Sequence, residues 1–205
     1  MNYYRDIITD QSWNTLKELS KTVDCILIGG WAVWIYTKQL KSKDIDIIVS
    51  FDVLEKLKRI FPVTKNDRLR KYEIIQGSVQ IDIYVSFWSS LGFPVDLMNE
   101  YSLIKDGFTV PWPEILLITK QIAYHARHGS AKGRKDLVDI VSLSLLPEMD
   151  WNKYKTMLEK TGEERERLLT QFKDLIRSQV DLPELSLNRH TYAKIKKRLL
   201  INFGQ

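Results

Sequence analysis

The sequence predicts an α+β fold, in which an N-terminal mixed β-sheet with flanking helices is followed by a C-terminal helical bundle. Short β-rich runs alternate with helical patterns up to residue 110, whereas helical periodicity dominates beyond it. Pro111-Trp112-Pro113 marks the change. We therefore expect a sheet domain over residues 1–110 and a helical domain over residues 111–205.

The N-terminal elements follow from local patterns of apolar residues and their boundaries. Gly29-Gly30 closes a short apolar run, Asp52 can cap a helix that Pro62 ends, and Gly77-Ser78 can join two strands as a hairpin. Lys105 to Phe108 predicts a further turn. The expected elements are a helix from Asp10 or Ser12, a strand over 25–28, a helix over 31–40, a strand over 44–49, a helix over 52–61, and strands over 70–76 and 79–87.

The C-terminal half is expected to be helical throughout. Pro113 can occupy the first turn of a helix, while Asp150 and Asn188 can cap two others. Gly162 and Pro183 are expected breaks. The predicted helices cover residues 113–128, 134–146, 150–160, 163–180 and 188–201, with a loop over 129–133.

Composition narrows the classes of protein and site. Cys25 is the single cysteine, which excludes an intrachain disulfide and a cysteine-built zinc site, and its apolar surroundings indicate a buried thiol in a reduced compartment. The start of the sequence is too polar for a signal peptide, and the longest apolar stretch, Cys25–Tyr36, is too short to span a bilayer. We therefore expect a soluble cytoplasmic protein without a membrane partner.

The net charge of +5 is unevenly distributed along the chain. Residues 1–110 carry 14 basic and 14 acidic side chains, whereas residues 111–205 carry 17 and 12. A basic half beside a neutral one suggests a polyanionic partner such as nucleic acid or a nucleotide. The alternative is a solvated helical surface.

Three aspartates lie within apolar β-type runs, which normally disfavour aspartate. Asp44 and Asp46 alternate with isoleucines and so share one face of a strand, and Asp82 lies between two isoleucines of a later strand. If the strands are neighbours, the three carboxylates converge and need a cation to offset their repulsion. Carboxylate oxygens suit Mg²⁺, and paired ions can assist phosphoryl transfer.

Gly29-Gly30 predicts a phosphate-binding turn between a strand and a helix. Backbone N–H groups at the start of a helix attract anions, and the absence of Cβ atoms permits close approach. Each feature also has a simpler interpretation: Gly29-Gly30 as an ordinary tight turn, and Asp82 as the ion-pair partner of Arg70 or Lys71.

Together, Ile28-Gly29-Gly30, Asp44-x-Asp46 and Asp82 resemble the polymerase β-like nucleotidyltransferases. A second run after the prolines is similar to the AbiEii-like minimal branch of that superfamily. The bulky Trp31 departs from the small residues often found after Gly-Gly and is expected to reshape the phosphate pocket. The residues of the second run are Pro113, Glu114, Leu117, Lys120, Ala123, Arg127, Lys135, Asp136, Asp139 and Ile140.

The resemblance implies a nucleotidyltransferase-type sheet and a role for each matching residue. Asp44 and Asp46 would hold the metals, while Asp82 would ligate the catalytic metal and help to deprotonate the acceptor. Asp136 or Asp139 would position Lys120 or the acceptor. The nucleotide-binding set would be Gly29, Gly30, Ser42, Lys43, Lys120 and Arg127.

The predicted function is an enzyme that transfers NMP from an NTP such as ATP to an acceptor hydroxyl and releases pyrophosphate. The expected cofactor is Mg²⁺, with Mn²⁺ as an alternative, in a two-metal mechanism. RNA such as tRNA, a protein or a small molecule could be the acceptor, and the AbiEii likeness suggests a toxin–antitoxin or defence role with an antitoxin partner. The alternative is a non-catalytic NTP- or nucleic-acid-binding protein on the same fold.

Overall fold

A computed structural model describes residues 2–178, 182–187 and 189–203 of the protein. The chain divides into two compact units, Met1–Trp112 and Pro113–Gln205, called the N-terminal and C-terminal units below. The first holds a mixed sheet with flanking helices and the second is helical, which confirms the predicted fold class.

The N-terminal unit is built on a five-stranded sheet whose strands are β1 (Ile26–Ile28), β2 (Ile45–Ile48), β3 (Thr64–Asn66), β4 (Lys71–Gln76) and β5 (Val79–Tyr84). The order across the sheet is β1-β2-β5-β4-β3. Strands β2 and β5 are parallel, and the other neighbouring pairs are antiparallel. The two strands predicted to carry aspartates are therefore adjacent.

The predicted hairpin at Gly77-Ser78 is confirmed. Gln76 pairs with Val79 on either side of the turn, and the register continues to Tyr72 opposite Ile83. Gly77 has a φ of +61°, a conformation that costs glycine little. Strand β5 ends earlier than predicted, and Phe87, at the predicted end of the strand, has a φ of 63°, which is not an extended conformation.

Four helices and a second, two-stranded sheet complete the described part of the N-terminal unit. The helices are α1 (Asn2–Thr22), α2 (Gly29–Thr37), α3 (Phe51–Ile60) and α4 (Val95–Glu100). The second sheet pairs β6 (Ser102–Lys105) with β7 (Phe108–Pro111). Asp106 and Gly107, with φ of 51° and 81°, form the predicted turn between them.

Several predicted boundaries in this unit were wrong. Helix α1 begins at Asn2, well before Asp10, because no glycine or proline interrupts the preceding residues. Ser50 rather than Asp52 is the N-cap of α3, and its hydroxyl accepts a hydrogen bond from the Val53 amide at 3.2 Å. Strand β3 was not predicted because Thr-Lys-Asn has no apolar alternation, and α4, β6 and β7 were too short for a periodic pattern.

Helices α1 and α2 pack together through tryptophans. Trp31 is 1% exposed, and its indole N–H donates to the Ser12 hydroxyl at 2.8 Å. The Trp13 ring lies 5.0 Å from the Trp31 ring and 4.9 Å from the Trp34 ring. The bulky residue after Gly29-Gly30 is thus part of the hydrophobic core of the N-terminal unit.

The helices of the C-terminal unit are α5 (Pro113–Arg127), α6 (Ala131–Ser144), α7 (Trp151–Glu159), α8 (Glu164–Arg177) and α9 (Arg189–Ile201), with a 3₁₀ turn at Pro183–Leu185. Asp150 caps α7 as predicted, accepting from the amides of Asn152 and Lys153. Asn188, the other predicted cap, and residues 179–180 of the predicted helix over 163–180 lie outside the described residues.

Helix α6 begins within the predicted loop over residues 129–133. The Ser130 hydroxyl accepts from the Gly133 amide at 3.0 Å and caps the helix. A Cβ atom on Gly133 would lie 3.0 Å from the Arg127 carbonyl carbon, so glycine is needed where the first turn of α6 meets the end of α5. The prediction that this glycine lies in a loop was wrong, because Gly133 is in the first turn of α6.

No helix of the described residues has the length and apolar character needed to cross a membrane.

The buried polar contact between α5 and α7 predicts a measurable loss of stability in Tyr154→Phe. Tyr154 and Gln121 are both fully buried, and the tyrosine hydroxyl donates to Gln121 Oε1 at 2.8 Å. Removing that hydroxyl leaves a buried amide oxygen without its donor, which costs about 1–3 kcal/mol. Urea denaturation of the variant and the wild type measures the difference.

Tyr101→Phe is the matched control, because the Tyr101 hydroxyl bonds to Glu100 at the surface. We expect this substitution to change the free energy of unfolding by less than about 0.5 kcal/mol. Equal losses in the two variants would contradict the importance of the buried hydrogen bond.

Cys25 is expected to react slowly with alkylating agents in the folded protein. Burial, with a smaller contribution from the charge of Asp24, raises the pKa of its thiol from 9.0 to about 11. Because the thiolate is the reactive form, two pH units correspond to about 100-fold slower alkylation at pH 8 than in the urea-unfolded chain. Iodoacetamide labelling followed by mass spectrometry measures both rates, and a native rate within threefold of the unfolded one would contradict the shift.

Candidate functional site

The predicted Gly-Gly turn lies where β1 ends and α2 begins. Gly29 has a φ of +67°, and a Cβ atom placed on it would lie 2.9 Å from Cβ of Asp46, and closer still to the Asp46 carboxylate oxygen Oδ2. Only glycine fits this position without displacing the aspartate. The start of α2 and the Asp46 carboxylate are therefore in direct proximity.

The first turn of α2 is suited to an anion. The residue at its N-cap position, Ile28, has an apolar side chain and makes no side-chain capping hydrogen bond to the first turn. The aligned peptide dipoles also place partial positive charge at this end of the helix. A phosphate could accept hydrogen bonds here, beside a carboxylate that would repel it unless a cation intervened.

Strand register brings two of the three predicted aspartates together. Asp46 lies opposite Ile28 in the antiparallel pair β1–β2 and opposite Asp82 in the parallel pair β2–β5. Residues paired in register point to the same face of a sheet, so the carboxylates of Asp46 and Asp82 are neighbours. Asp44 precedes β2, is half-buried, and lies two residues before Asp46.

The Asp82 carboxylate is held by two donors. Lys71 Nζ lies 2.6 Å from its Oδ2 atom, and Gln80 Nε2 donates to its Oδ1 atom at 2.8 Å. The ion pair with Lys71, which the sequence offered as an alternative to a metal site, is thus present. Asp82 is also in register with Asp46 on the neighbouring strand. The same carboxylate therefore has an ion-pair partner on one side and a second carboxylate on the other.

Glu73 is a further carboxylate of this face that the sequence analysis missed. It lies opposite Asp82 in the β4–β5 hairpin, and its Oε1 atom is 2.9 Å from Lys71 Nζ and 3.1 Å from Asn66 Nδ2. The two-residue turn at 77–78 fixes which residues are opposite, so counting outwards from that turn could have paired residue 73 with residue 82. The sequence therefore contained the information that Glu73 lies opposite Asp82, but using it required the exact length of the turn.

Charge pairing shifts the protonation equilibria of Lys71 and Glu73. Burial by itself would lower the pKa of the Lys71 ammonium, but its hydrogen bonds to Asp82 and Glu73 raise that pKa above the ordinary value. The hydrogen bond from Lys71 lowers the pKa of Glu73. Near neutral pH the pair is therefore fully charged.

The donor set of this face fits a hard divalent cation. Asp44, Asp46 and Asp82 supply oxygen atoms only, which is the chemistry that Mg²⁺ prefers. Because Gly29 lies directly against Asp46, a phosphate bound at the start of α2 would be next to the Asp46 carboxylate oxygens. Among the residues that the structure describes, no group of three histidine, cysteine or acidic side chains is arranged to enclose a metal ion.

Ser42 and Lys43, the other predicted nucleotide-binding residues of the N-terminal unit, precede β2. Ser42 is buried at 5% exposure, whereas Lys43 is exposed. The two neighbours therefore differ in what they could contact: a lysine at the surface is accessible to a phosphate, and a buried serine is not.

The four predicted site residues of the C-terminal unit form one cluster between α5 and α6, in which all but Arg127 are buried. Lys120 Nζ lies 2.6 Å from Asp139 Oδ2 and 3.5 Å from Asp136 Oδ1. Arg127 binds Asp136 through two hydrogen bonds, of 2.6 and 3.0 Å. Both aspartates are 1% exposed and Lys120 is 6% exposed, whereas the Arg127 side chain is 41% exposed, so the set is balanced in charge but only three of its members are buried.

Comparison with known proteins identifies relatives at the level of the fold. No family model matches the sequence, and neither does a curated protein. Among solved structures, the antibiotic-resistance factor ANT(2'')-Ia is similar with a TM-score of 0.52 and 12% identity, over 86% of this chain and 97% of that chain. This similarity concerns the fold, a mixed sheet with flanking helices followed by C-terminal helices.

Two further solved structures are less similar. JHP933 from Helicobacter pylori matches with a TM-score of 0.49 and 12% identity, over 95% of this chain and 91% of that chain. An antigenic nucleotidyltransferase-like protein from Paracoccidioides brasiliensis matches with a TM-score of 0.40 and 18% identity, over 82% and 93%. At these identities the comparisons concern the fold, and the AbiEii-like branch stays a prediction.

The close approach of Gly29 to Asp46 predicts that Gly29→Ala costs more stability than Gly77→Ala. Both glycines have positive φ, of +67° and +61°, so both variants pay about 1–2 kcal/mol for a left-handed alanine. Only at Gly29 does the added methyl group also collide with a neighbour, since nothing lies within 4 Å of the corresponding position at Gly77. We expect Gly29→Ala to cost at least about 1 kcal/mol more. Guanidinium denaturation of both variants tests this, and equal costs would contradict the contact.

Proposed function

We propose that the protein is a Mg²⁺-dependent nucleotidyltransferase that transfers NMP from an NTP to an acceptor hydroxyl and releases pyrophosphate. The observation that carries the proposal is the position of Gly29, at the start of α2, directly against the Asp46 carboxylate. The register of Asp46 with Asp82 adds a second carboxylate on the neighbouring strand. An anion-binding helix start beside paired carboxylates is what a metal–triphosphate complex requires.

The nucleotide is bound through its phosphates. The N–H groups of Gly29 and Gly30 donate to phosphate oxygens, and the positive end of the α2 dipole favours the negative charge. Lys43, exposed just before β2, adds a positive side chain on the approach to Asp44 and Asp46. This arrangement orients the α-phosphorus towards the carboxylates of the sheet.

The carboxylates of Asp44 and Asp46 hold Mg²⁺, with Asp82 beside them. When bound, the ion neutralises the triphosphate and stabilises the charge that develops on the phosphoryl oxygens in the transition state. Without a cation the Asp46 carboxylate would repel the triphosphate that Gly29 attracts, so the chain's own residues make nucleotide binding depend on the metal.

The reaction is an in-line displacement at the α-phosphorus. The acceptor oxygen forms a bond to that phosphorus, and the bond from phosphorus to the bridging oxygen of the β-phosphate breaks, so that pyrophosphate leaves with the electron pair. The proton of the acceptor hydroxyl passes to a carboxylate on this face, and we assign this role to Asp82. The catalytic contribution is mainly the positioning of these groups.

The acceptor class is left to experiment. RNA such as tRNA, a protein side chain and a small molecule each offer a suitable hydroxyl. The excess of basic residues over acidic ones in positions 111–205 supports a polyanionic acceptor.

Label transfer from α-³²P NTPs tests the proposal, with total RNA, a protein extract and a pool of small alcohols as separate acceptors in the presence of Mg²⁺. We expect transfer to one pool, and a loss of at least about 100-fold in Asp46→Asn, because the amide keeps the size of the carboxylate but removes its charge. Asp52→Asn is the control, since Asp52 is an exposed residue in the first turn of α3, and it should transfer at the wild-type rate.

Two results would contradict the proposal. Transfer that survives in Asp46→Asn would place the chemistry elsewhere. Nucleotide binding without transfer to any acceptor pool would favour the non-catalytic NTP-binding alternative.

A further inference from the structure

Lys71 is the central cation of the sheet face that carries the candidate site. Its ammonium group lies 2.6 Å from Asp82 Oδ2 and 2.9 Å from Glu73 Oε1, and its side chain is only 9% exposed. The two carboxylates come from β5 and β4 and face each other in register. Lys71 therefore bridges two acidic side chains of adjacent strands in a nearly buried position.

Two amide side chains also donate hydrogen bonds to the carboxylates of this bridge. Gln80 Nε2 donates to the second oxygen of Asp82 at 2.8 Å, and Asn66 Nδ2 donates to the Glu73 oxygen that faces Lys71, at 3.1 Å. The result is a continuous chain of contacts across β3, β4 and β5 that runs from Asn66 to Gln80. These contacts hold Lys71 and Asp82 in place, because moving either one would leave a buried charged partner unpaired.

The Lys71 ammonium lies next to a row of three carboxylates on adjacent strands. Asp46, Asp82 and Glu73 lie side by side on β2, β5 and β4, since Asp82 is in register with both of the others. Three adjacent carboxylates repel one another and require positive charge. Lys71 supplies that charge at the Asp82–Glu73 end, whereas Asp46 and Asp44 lie at the other end, next to Gly29.

We propose that the Lys71 ammonium takes the place of a second metal ion at Asp82, so that the protein binds one divalent cation per chain at Asp44 and Asp46. The inference rests on the proposed function and replaces the two-ion site that the family resemblance implies with a one-ion site. Asp82 then keeps the role of proton acceptor, oriented by Lys71 and Gln80, but is not a metal ligand. A second ion at Asp82 would have to displace a lysine that is held by two carboxylates.

Mn²⁺ binding measured by EPR tests the stoichiometry without relying on catalysis. The protein is titrated with Mn²⁺ in the presence of a non-hydrolysable NTP analogue, and a titration of the analogue alone is subtracted. We expect one protein-dependent ion in the wild type. In Lys71→Gln, which frees the Asp82 carboxylate, we expect a second ion, whereas Lys71→Arg keeps the positive charge and should keep one.

Asp82→Asn provides a test that does not depend on the folding of the Lys71 variants. If Asp82 is not a ligand, the Mn²⁺ dissociation constant should change by less than about threefold, while Asp46→Asn should raise it at least tenfold. Lys65→Gln is the matched control for Lys71→Gln, because Lys65 lies on the neighbouring strand β3 with a side chain that is 48% exposed. It should bind one ion with the wild-type dissociation constant.

The outcomes separate this inference from the proposed function. Two ions in the wild type, or a tenfold loss of affinity in Asp82→Asn, would overturn the role of Lys71 and leave the nucleotidyltransferase proposal intact. The absence of any protein-dependent Mn²⁺ binding in the presence of the nucleotide analogue would overturn both.

Discussion

The contact between the Gly29 backbone and the Asp46 carboxylate depends on the register between β1 and β2. Ile28 lies opposite Asp46, and the chain then turns through a glycine of positive φ into α2. A slip of one residue would place an isoleucine at this position and turn Asp46 to the opposite face of the sheet. The buried isoleucines of β2, Ile45 and Ile47, prevent that slip, so the hydrophobic core of the N-terminal unit also fixes the candidate site.

Charge balance is the second constraint on this face. Aspartate and glutamate are unfavourable within strands, yet Asp82 and Glu73 lie opposite each other in the two strands of the β4–β5 hairpin. They are tolerated because Lys71 joins them and because Asn66 and Gln80 supply further donors. Lys71 therefore offsets part of the repulsion between Asp82 and Glu73. Asp46 lies beside the start of α2, where the helix dipole favours anions.

The C-terminal unit also balances acidic side chains with basic ones, here between two helices. Lys120 pairs with Asp139, and the partly exposed Arg127 pairs with Asp136, so that each of the two buried aspartates has a cationic partner. Breaking one pair would leave an uncompensated charge in a buried place, which makes the cluster a strong constraint on how α5 and α6 pack. Because this set sums to zero, the positive balance of residues 111–205 comes from other side chains.

The sequence by itself determined the fold class, the hairpin at Gly77-Ser78 and the position of the Gly-Gly turn, because alternation, glycine chemistry and helical periodicity are local properties. Residue type and strand pattern also singled out Asp46 and Asp82, whereas Lys120 and Asp139 came from the family resemblance. The sequence did not determine the short β3, whose three residues form a strand only by pairing with β4, or the role of Glu73, which depends on hairpin register. Only the tertiary structure decided that Lys71 lies between Glu73 and Asp82 and that Gly29 touches Asp46, since strand order and register bring together residues that are distant in the chain.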